Sequence, residues 1–183
     1  LFLTRRHDPV PGTCVTVALE GRRPLVAEVQ ALVAATPLGT PRRASSGLDS
    51  SRLSMVLAVL ERRCQLDLSK RDVYSATVGG VRVSEPAADL AVGLAIASAT
   101  LDRPLPIGLV AIGEVGLAGE IRRVSGLSRR LTEAVRLGFD HALIPPDPGT
   151  IPPGLRVTVV TDMRELLVTL AQSAGSNASR DRS

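Results

Sequence analysis

The sequence predicts a single α/β (α+β) domain. β-Branched runs of strand length alternate with longer segments of helical periodicity, and glycine or proline marks most junctions between them. Of the 183 residues, 44% are hydrophobic, which suits one sizeable core. Periodicity alone does not choose the topology, and no internal repeat is visible.

Residues 1–12, with Pro9, Pro11 and Gly12, read as a linker into the domain, and the start on Leu1 reads as part of a longer protein. Thr13 to Leu19 and Leu25 to Val33 are strands flanking the turn residues Glu20-Gly21-Arg22-Arg23-Pro24. Thr36 to Ser50 is rich in Pro, Gly, Ser and Arg. It reads as an ordered loop carrying Arg42 and Arg43, with a flexible connector as the alternative. Asp49, Ser50 or Ser51 caps a helix to about Cys64, whose Leu53, Val56, Leu57, Leu60 and Cys64 share one face.

A strand from Val73 to Val78 leads through Gly79-Gly80-Val81-Arg82-Val83 to Pro86, which suits a first helical turn because it has no amide proton to leave unbonded. Glu85 and Asp89 lie at that helix's positive end. Leu90 to Ala99 is apolar on every face, so the helix is expected to be enclosed. After Pro104 and Pro106 come a strand, Leu109 to Ile112, and a glycine-punctuated hairpin ending in Glu120 to Val124. Ser125 is the expected cap of a helix that stops at Gly138. Strands His141 to Ile144 and Arg156 to Val160 flank a proline-rich loop, and Asp162 starts a last helix to about Gln172. The domain thus spans 13–172, and 173–183 reads as a disordered tail.

Composition excludes several functions. The longest apolar run falls short of the roughly 20 residues that span a bilayer, and no signal segment opens the chain, so a cytoplasmic protein without membrane contact is expected. Cys14 and Cys64 lack metal-ligand spacing and read as reduced, buried thiols, and no metal site is expected. No P-loop is present and the sole lysine is Lys70. The glycines at 113, 116 and 119 are turn glycines rather than a dinucleotide fingerprint. The net charge of +4 is carried almost wholly by arginines, many in adjacent pairs. Such pairs are either a solvated surface or a phosphate-facing one. With no Trp, one Tyr and two Phe, a stacking platform for bases is not expected.

The segment Glu85-Pro86-Ala87-Ala88-Asp89, with Gly113-Glu114-Val115-Gly116-Leu117-Ala118-Gly119-Glu120 and Gly126-Leu127-Ser128-Arg129-Arg130-Leu131, resembles the proteolytic domain of the Lon protease family. That family starts the helix with Gly-Pro-Ser-Ala-Gly and supplies a lysine base from the later segment. Here Ala87 stands at the serine's place and Arg130 at the lysine's. Arginine does not lose its proton in a protein, and alanine offers no nucleophile, so the resemblance implies a degenerate dyad and no catalytic residue.

Pro41-Arg42-Arg43, Gly47-Leu48-Asp49, Arg52-Leu53, Ala58-Val59-Leu60, Gly79-Gly80-Val81-Arg82-Val83 and Glu85 to Ala91 resemble one group in particular, the RadA (Sms) family of bacterial DNA-repair proteins. The resemblance, running from about Gly12 to Leu170, implies a Lon-like C-terminal domain without protease activity. It also implies that residues 1–12 link to an ATPase region. In the full-length protein it implies a DNA-dependent RecA-like ATPase with ATP and Mg, a zinc finger with Zn, a hexameric ring, branch migration of recombination intermediates and a RecA-type recombinase as partner. This chain itself is expected to hold no cofactor.

The first reading is therefore a non-catalytic scaffold that self-assembles and offers basic surface to the DNA backbone. Arg42, Arg43, Arg52 and Arg82 are the candidates for DNA or subunit contact, with Arg122, Arg123 and Lys70 beside them. The competing structural reading of the first four is ion pairing with Asp49, Glu85 and Asp89. The alternatives are a pure oligomerisation module without DNA contact, and a cryptic hydrolase using Ser84, Ser125 or Ser128. His7 and His141 read as solvated or structural.

Overall fold

The computed structural model describes residues 8–37 and 39–172. The linker's first seven residues and the 173–183 tail lie outside them. Strands β1 (Thr13–Glu20), β2 (Arg23–Ala35), β3 (Arg43–Ser46), β4 (Arg71–Thr77), β5 (Leu109–Ala111), β8 (His141–Ile144) and β9 (Arg156–Val159) form one sheet in the order β3-β4-β2-β1-β5-β8-β9. The β1–β2 and β2–β4 pairs are antiparallel and the others parallel, so the fold is a mixed α/β domain. Strands β6 (Glu114–Val115) and β7 (Ile121–Arg122) form a separate hairpin.

Side-chain alternation assigns the two faces of the sheet. Cys14, Val29, Leu109, Ala111 and Leu143 point into the core shared with helices α1 (Ser50–Arg62), α2 (Asp89–Leu101) and α4 (Met163–Gln172). Val17, Val26, Val110, Ile112, Ala142 and Ile144 point the other way, against Leu131 and Ala134 of α3 (Leu127–Arg136). Helix α2 is buried at every residue from Asp89 to Ser98, as its all-apolar sequence requires. In α1, Leu53, Val56, Leu57 and Leu60 are buried, and Asp49 caps the start by accepting from the Arg52 amide at 2.8 Å.

Several elements differ from expectation. The 36–50 segment contains β3, a short strand parallel to β4 that has no apolar periodicity to announce it. Pro86–Ala88 is a separate 3-10 turn before α2. Ser125 caps nothing: Gly126 occupies the N-cap of α3 at φ 65°, and the Ser125 carbonyl instead accepts from Arg130. Cys64 is half-buried, whereas Cys14 is buried as expected, and both thiols are free. Gly12, placed in the linker by its composition, is part of the packed domain. Its amide donates to Ser98 Oγ at 2.9 Å, and its carbonyl accepts from the Ala31 amide at 2.7 Å.

Candidate functional site

The 3-10 turn carrying Ala87 is held against the strand end by two backbone bonds. Gly113 N donates to Ala87 O at 2.9 Å, and Leu90 N donates to Gly113 O at 3.0 Å. A side chain at 113 would meet Ile121 Cγ2 at 2.9 Å, so glycine permits this close approach. Ala87 is itself 3% exposed.

Arg130 reaches the same place from α3 and is fully buried. Both its η nitrogens bond the Glu85 carboxylate, Nη2 to Oε2 at 2.9 Å. Nη1 also donates to Val17 O at 2.8 Å, and Nε to Ser125 O at 2.9 Å. Glu85 Oε1 in turn accepts from Leu19 N at 2.8 Å. Val17 and Leu19 offer these groups on the edge of β1 that β2 leaves free. The ion pair therefore occupies the positions that one residue of a neighbouring strand would fill. A guanidinium fixed this way supplies no base, and Ala87 supplies no nucleophile.

Ser84, Ser125 and Ser128 are exposed. His141 Nε2 meets Thr158 Oγ1 at 2.8 Å, and burial lowers its pKa, with nearby Arg156 acting in the same direction. His7 lies outside the described residues. Among the described residues, no group of three or more His, Cys, Asp or Glu is placed to hold a metal. No helix among them is long and apolar enough to cross a membrane.

The arginines singled out by sequence lie apart. Arg52 forms an ion pair within the domain: its Nε bonds Asp89 Oδ1 at 3.2 Å and its Nη2 bonds Oδ2, which also accepts from Val115 N at 3.2 Å. Asp89 is 2% exposed. Burial pushes its carboxyl above the ordinary carboxylate range, against the opposing pull of Arg52. Glu114 and Arg122 extend this network over the β6–β7 hairpin, and Arg122 also pairs with Glu120 at 2.6 Å. Arg123 pairs with Asp147 on the open surface.

A second group forms one corner beside β3 and β4. Arg42 is fixed there through its backbone, its amide donating to Asp72 Oδ1 at 2.7 Å and its carbonyl accepting from Val73 N at 2.9 Å. Arg43 folds back onto the carbonyls of Leu68 and Arg71 and pairs with Glu61 at 3.2 Å. Lys70 stands in the adjoining turn, its carbonyl accepting from Thr36 N at 3.0 Å. The side chains of Arg42 and Lys70 are exposed, with no ion pair among the described residues. Arg82 lies elsewhere, sharing a groove with Arg23 and Arg136, residues that sequence reasoning did not single out. Glu85 was read from sequence as a helix-end carboxylate and as a candidate partner of Arg42, Arg43, Arg52 or Arg82, not of Arg130. The signal for its pairing with Arg130 was that both depart from the protease pattern together.

These features define a mixed α/β domain in which an ion pair between Arg130 and Glu85 ties α3 to the turn carrying Ala87. The chain belongs to the family described as subunit ChlI of Mg-chelatase, whose model matches residues 56–148. That stretch contains all three segments that resemble the Lon protease. The chain is 52% identical over 178 residues to a protein of Mycolicibacterium smegmatis named DNA repair protein RadA, covering 97% of this chain and 38% of that protein. Proteins of the same name from Mycobacterium tuberculosis and Streptococcus pyogenes are 51% and 44% identical, over 96% and 91% of this chain and 37% and 38% of their own lengths. The chain thus spans less than two fifths of these curated relatives.

Proposed function

We propose that this chain is a non-proteolytic, Lon-like scaffold of a DNA-repair protein, which assembles with further copies of itself and presents a basic corner to the DNA backbone. The observation that carries the reading is the corner at Arg42 and Lys70, two exposed cations in no salt bridge among the described residues, Lys70 standing within electrostatic reach of Asp67. The name shared by the relatives gives it its biological setting. On this reading the chain serves a hexameric ring that promotes branch migration beside a RecA-type recombinase. ATP, Mg and Zn would be held by parts of a longer protein, since neither a P-loop nor a Cys-x-x-Cys pair occurs in the sequence. The absence of proteolysis follows from Ala87 and from an Arg130 already fully engaged.

The test is binding of a labelled DNA duplex at several salt concentrations. Affinity should fall steeply with salt and vary little with base sequence. Arg42→Ala with Lys70→Ala should weaken binding on every duplex and reduce the salt slope by about one unit per lost phosphate contact. An unchanged slope would return these residues to a purely structural or assembly role. Sedimentation of the same protein would then favour the oligomerisation module without DNA contact.

A further inference from the structure

The seven-stranded sheet ends in β3 on one side and in β9 on the other. In β9, Arg156 N donates to Asp140 O at 2.9 Å, and the following Val160 N donates to Ile144 O at 2.8 Å, so the backbone groups of residues 156, 158 and 160 face β8. Those of Val157 and Val159 therefore turn away from the sheet. They have no partner among the described residues, and neither have the backbone groups of Leu155. Arg156, Thr158 and Val159 are exposed, Val159 at 47%. The edge closes again at Thr161, whose carbonyl accepts from Ile121 N at 2.9 Å. At the opposite edge, β3 has Arg43 at a turned-out position, where a charged residue discourages pairing.

We propose that β9 pairs antiparallel with the β9 of a second copy about a two-fold axis at Val157, so that one sheet runs through both chains. A strand edge takes its partner through main-chain N–H and C=O groups, which a polypeptide has and a nucleic acid lacks. The ends of the free edge select the register. With the axis at Val157, the two Val157 residues exchange both backbone bonds, and Val159 lies opposite Leu155 of the second copy. The second copy's chain then leaves at its Pro153-Gly154 turn, where Gly154 has φ 81°, before it meets the Ile121 cap. An axis at Thr158 runs the second copy's Leu155 into that cap.

The side chains agree with this register. Leu155 and Val157 face α3, and alternation puts Val159 on the same face, so the three residues and their counterparts form one apolar strip across the axis. On the other face Arg156, the one charged residue of β9, lies opposite the second copy's Thr158 and not opposite a like charge. A two-fold contact closes on itself. It goes beyond the ring proposed above, whose contacts are head-to-tail. So short an edge falls below the roughly 1,200 Å² of a stable complex, and the contact is expected to be weak and concentration-dependent.

The test is sedimentation equilibrium of the whole chain from about 10 μM to about 1 mM, with amide chemical shifts recorded along the same series. The smallest unit, whether one copy or a ring, should double, with shift changes and slowed amide exchange centred on Leu155–Val159. Raised salt should leave the doubling unchanged or tighten it, because each copy carries a net charge of +4 and the contact holds no ion pair. Val159→Lys, at an exposed position, should weaken it about tenfold or more. Val159→Pro should weaken it by removing one turned-out N–H, a change that an edge strand tolerates. Four results would each overturn the proposal: a unit that never doubles, shift changes centred elsewhere, both variants associating as the unaltered chain does, or shift changes at β3 together with β9. The last would assign the edge to head-to-tail pairing with β3 of the next copy, which keeps the ring and removes the two-fold contact.

Discussion

Arg130 and Glu85, 45 residues apart, form a two-point ion pair that bridges α3 to the turn before α2 and completes the free edge of β1. The Arg130 side chain is 1% exposed and that of Glu85 25%, so the arginine carries most of the desolvation. Arg130→Ala leaves the carboxylate without its counter-charge and Val17 O without its donor. It should cost about 3 kcal/mol in urea unfolding. Arg130→Met with Glu85→Gln should recover much of that loss, because no lone charge remains. Equal losses in the single and double variants would show that packing, not charge, sets the cost.

Ala87→Ser with Arg130→Lys should fold and remain inactive. A lysine at 130 would sit beside the Glu85 carboxylate, which favours its charged form, whereas a base must be neutral. Reaction with a fluorophosphonate and cleavage of an unfolded protein are the readouts. Robust labelling at position 87 would mean that Glu85 does not hold the site closed.

Arg52→Ala should destabilise the fold by about 2–4 kcal/mol, by stranding the buried Asp89 carboxylate. The deficit should depend on pH. Burial raises the folded-state pKa of Asp89 above its ordinary value of 3.8, and removal of Arg52 raises it further. The folded state therefore binds the proton more tightly than the unfolded chain. The stability this provides is present below pH 3.8 and is lost as pH rises through the folded-state pKa. Relative to the unaltered chain, the variant should thus be least impaired near pH 4 and most impaired at neutral pH. Urea midpoints across that range check the sign.

The two thiols should differ in reactivity. Burial pushes Cys14 from 9.0 up to about 12 and Cys64 up to about 11. A maleimide at neutral pH should label Cys64 slowly and Cys14 only after unfolding. A raised folded-state pKa also means stability that is intact below pH 9.0 and drains away toward pH 12. Cys14 should contribute up to about 1.4 kcal/mol per pH unit to that decline. Comparison with Cys14→Ala isolates the contribution.

The legible parts of this molecule are those where burial follows sequence locally. The α2 run has no polar face, the α1 stripe repeats at helical spacing, and Gly138 ends α3 at φ 92°. Strand β3 was not legible, because Arg43-Ala44-Ser45-Ser46 becomes a strand only by pairing with β4, and that pairing is set partly by the Asp72 carboxylate bonding the Arg42 amide. Arg130 was legible as a departure from a protease pattern but not as a core residue. Its burial depends on carbonyls and a carboxylate distant in sequence, which no periodicity encodes. For Arg52, the ion-pair reading proposed from sequence finds a partner in Asp89.

The closed edge of β1 also limits how this chain can change. A serine at 87 and a lysine at 130 would not suffice while Glu85 keeps its charge, and removing either Glu85 or Arg130 alone strips the other of its counter-charge. Every single-residue route toward a Ser/Lys hydrolase at this position therefore either leaves the chemistry silent or weakens the fold before any activity exists to be selected. The ion pair works as a ratchet in sequence space.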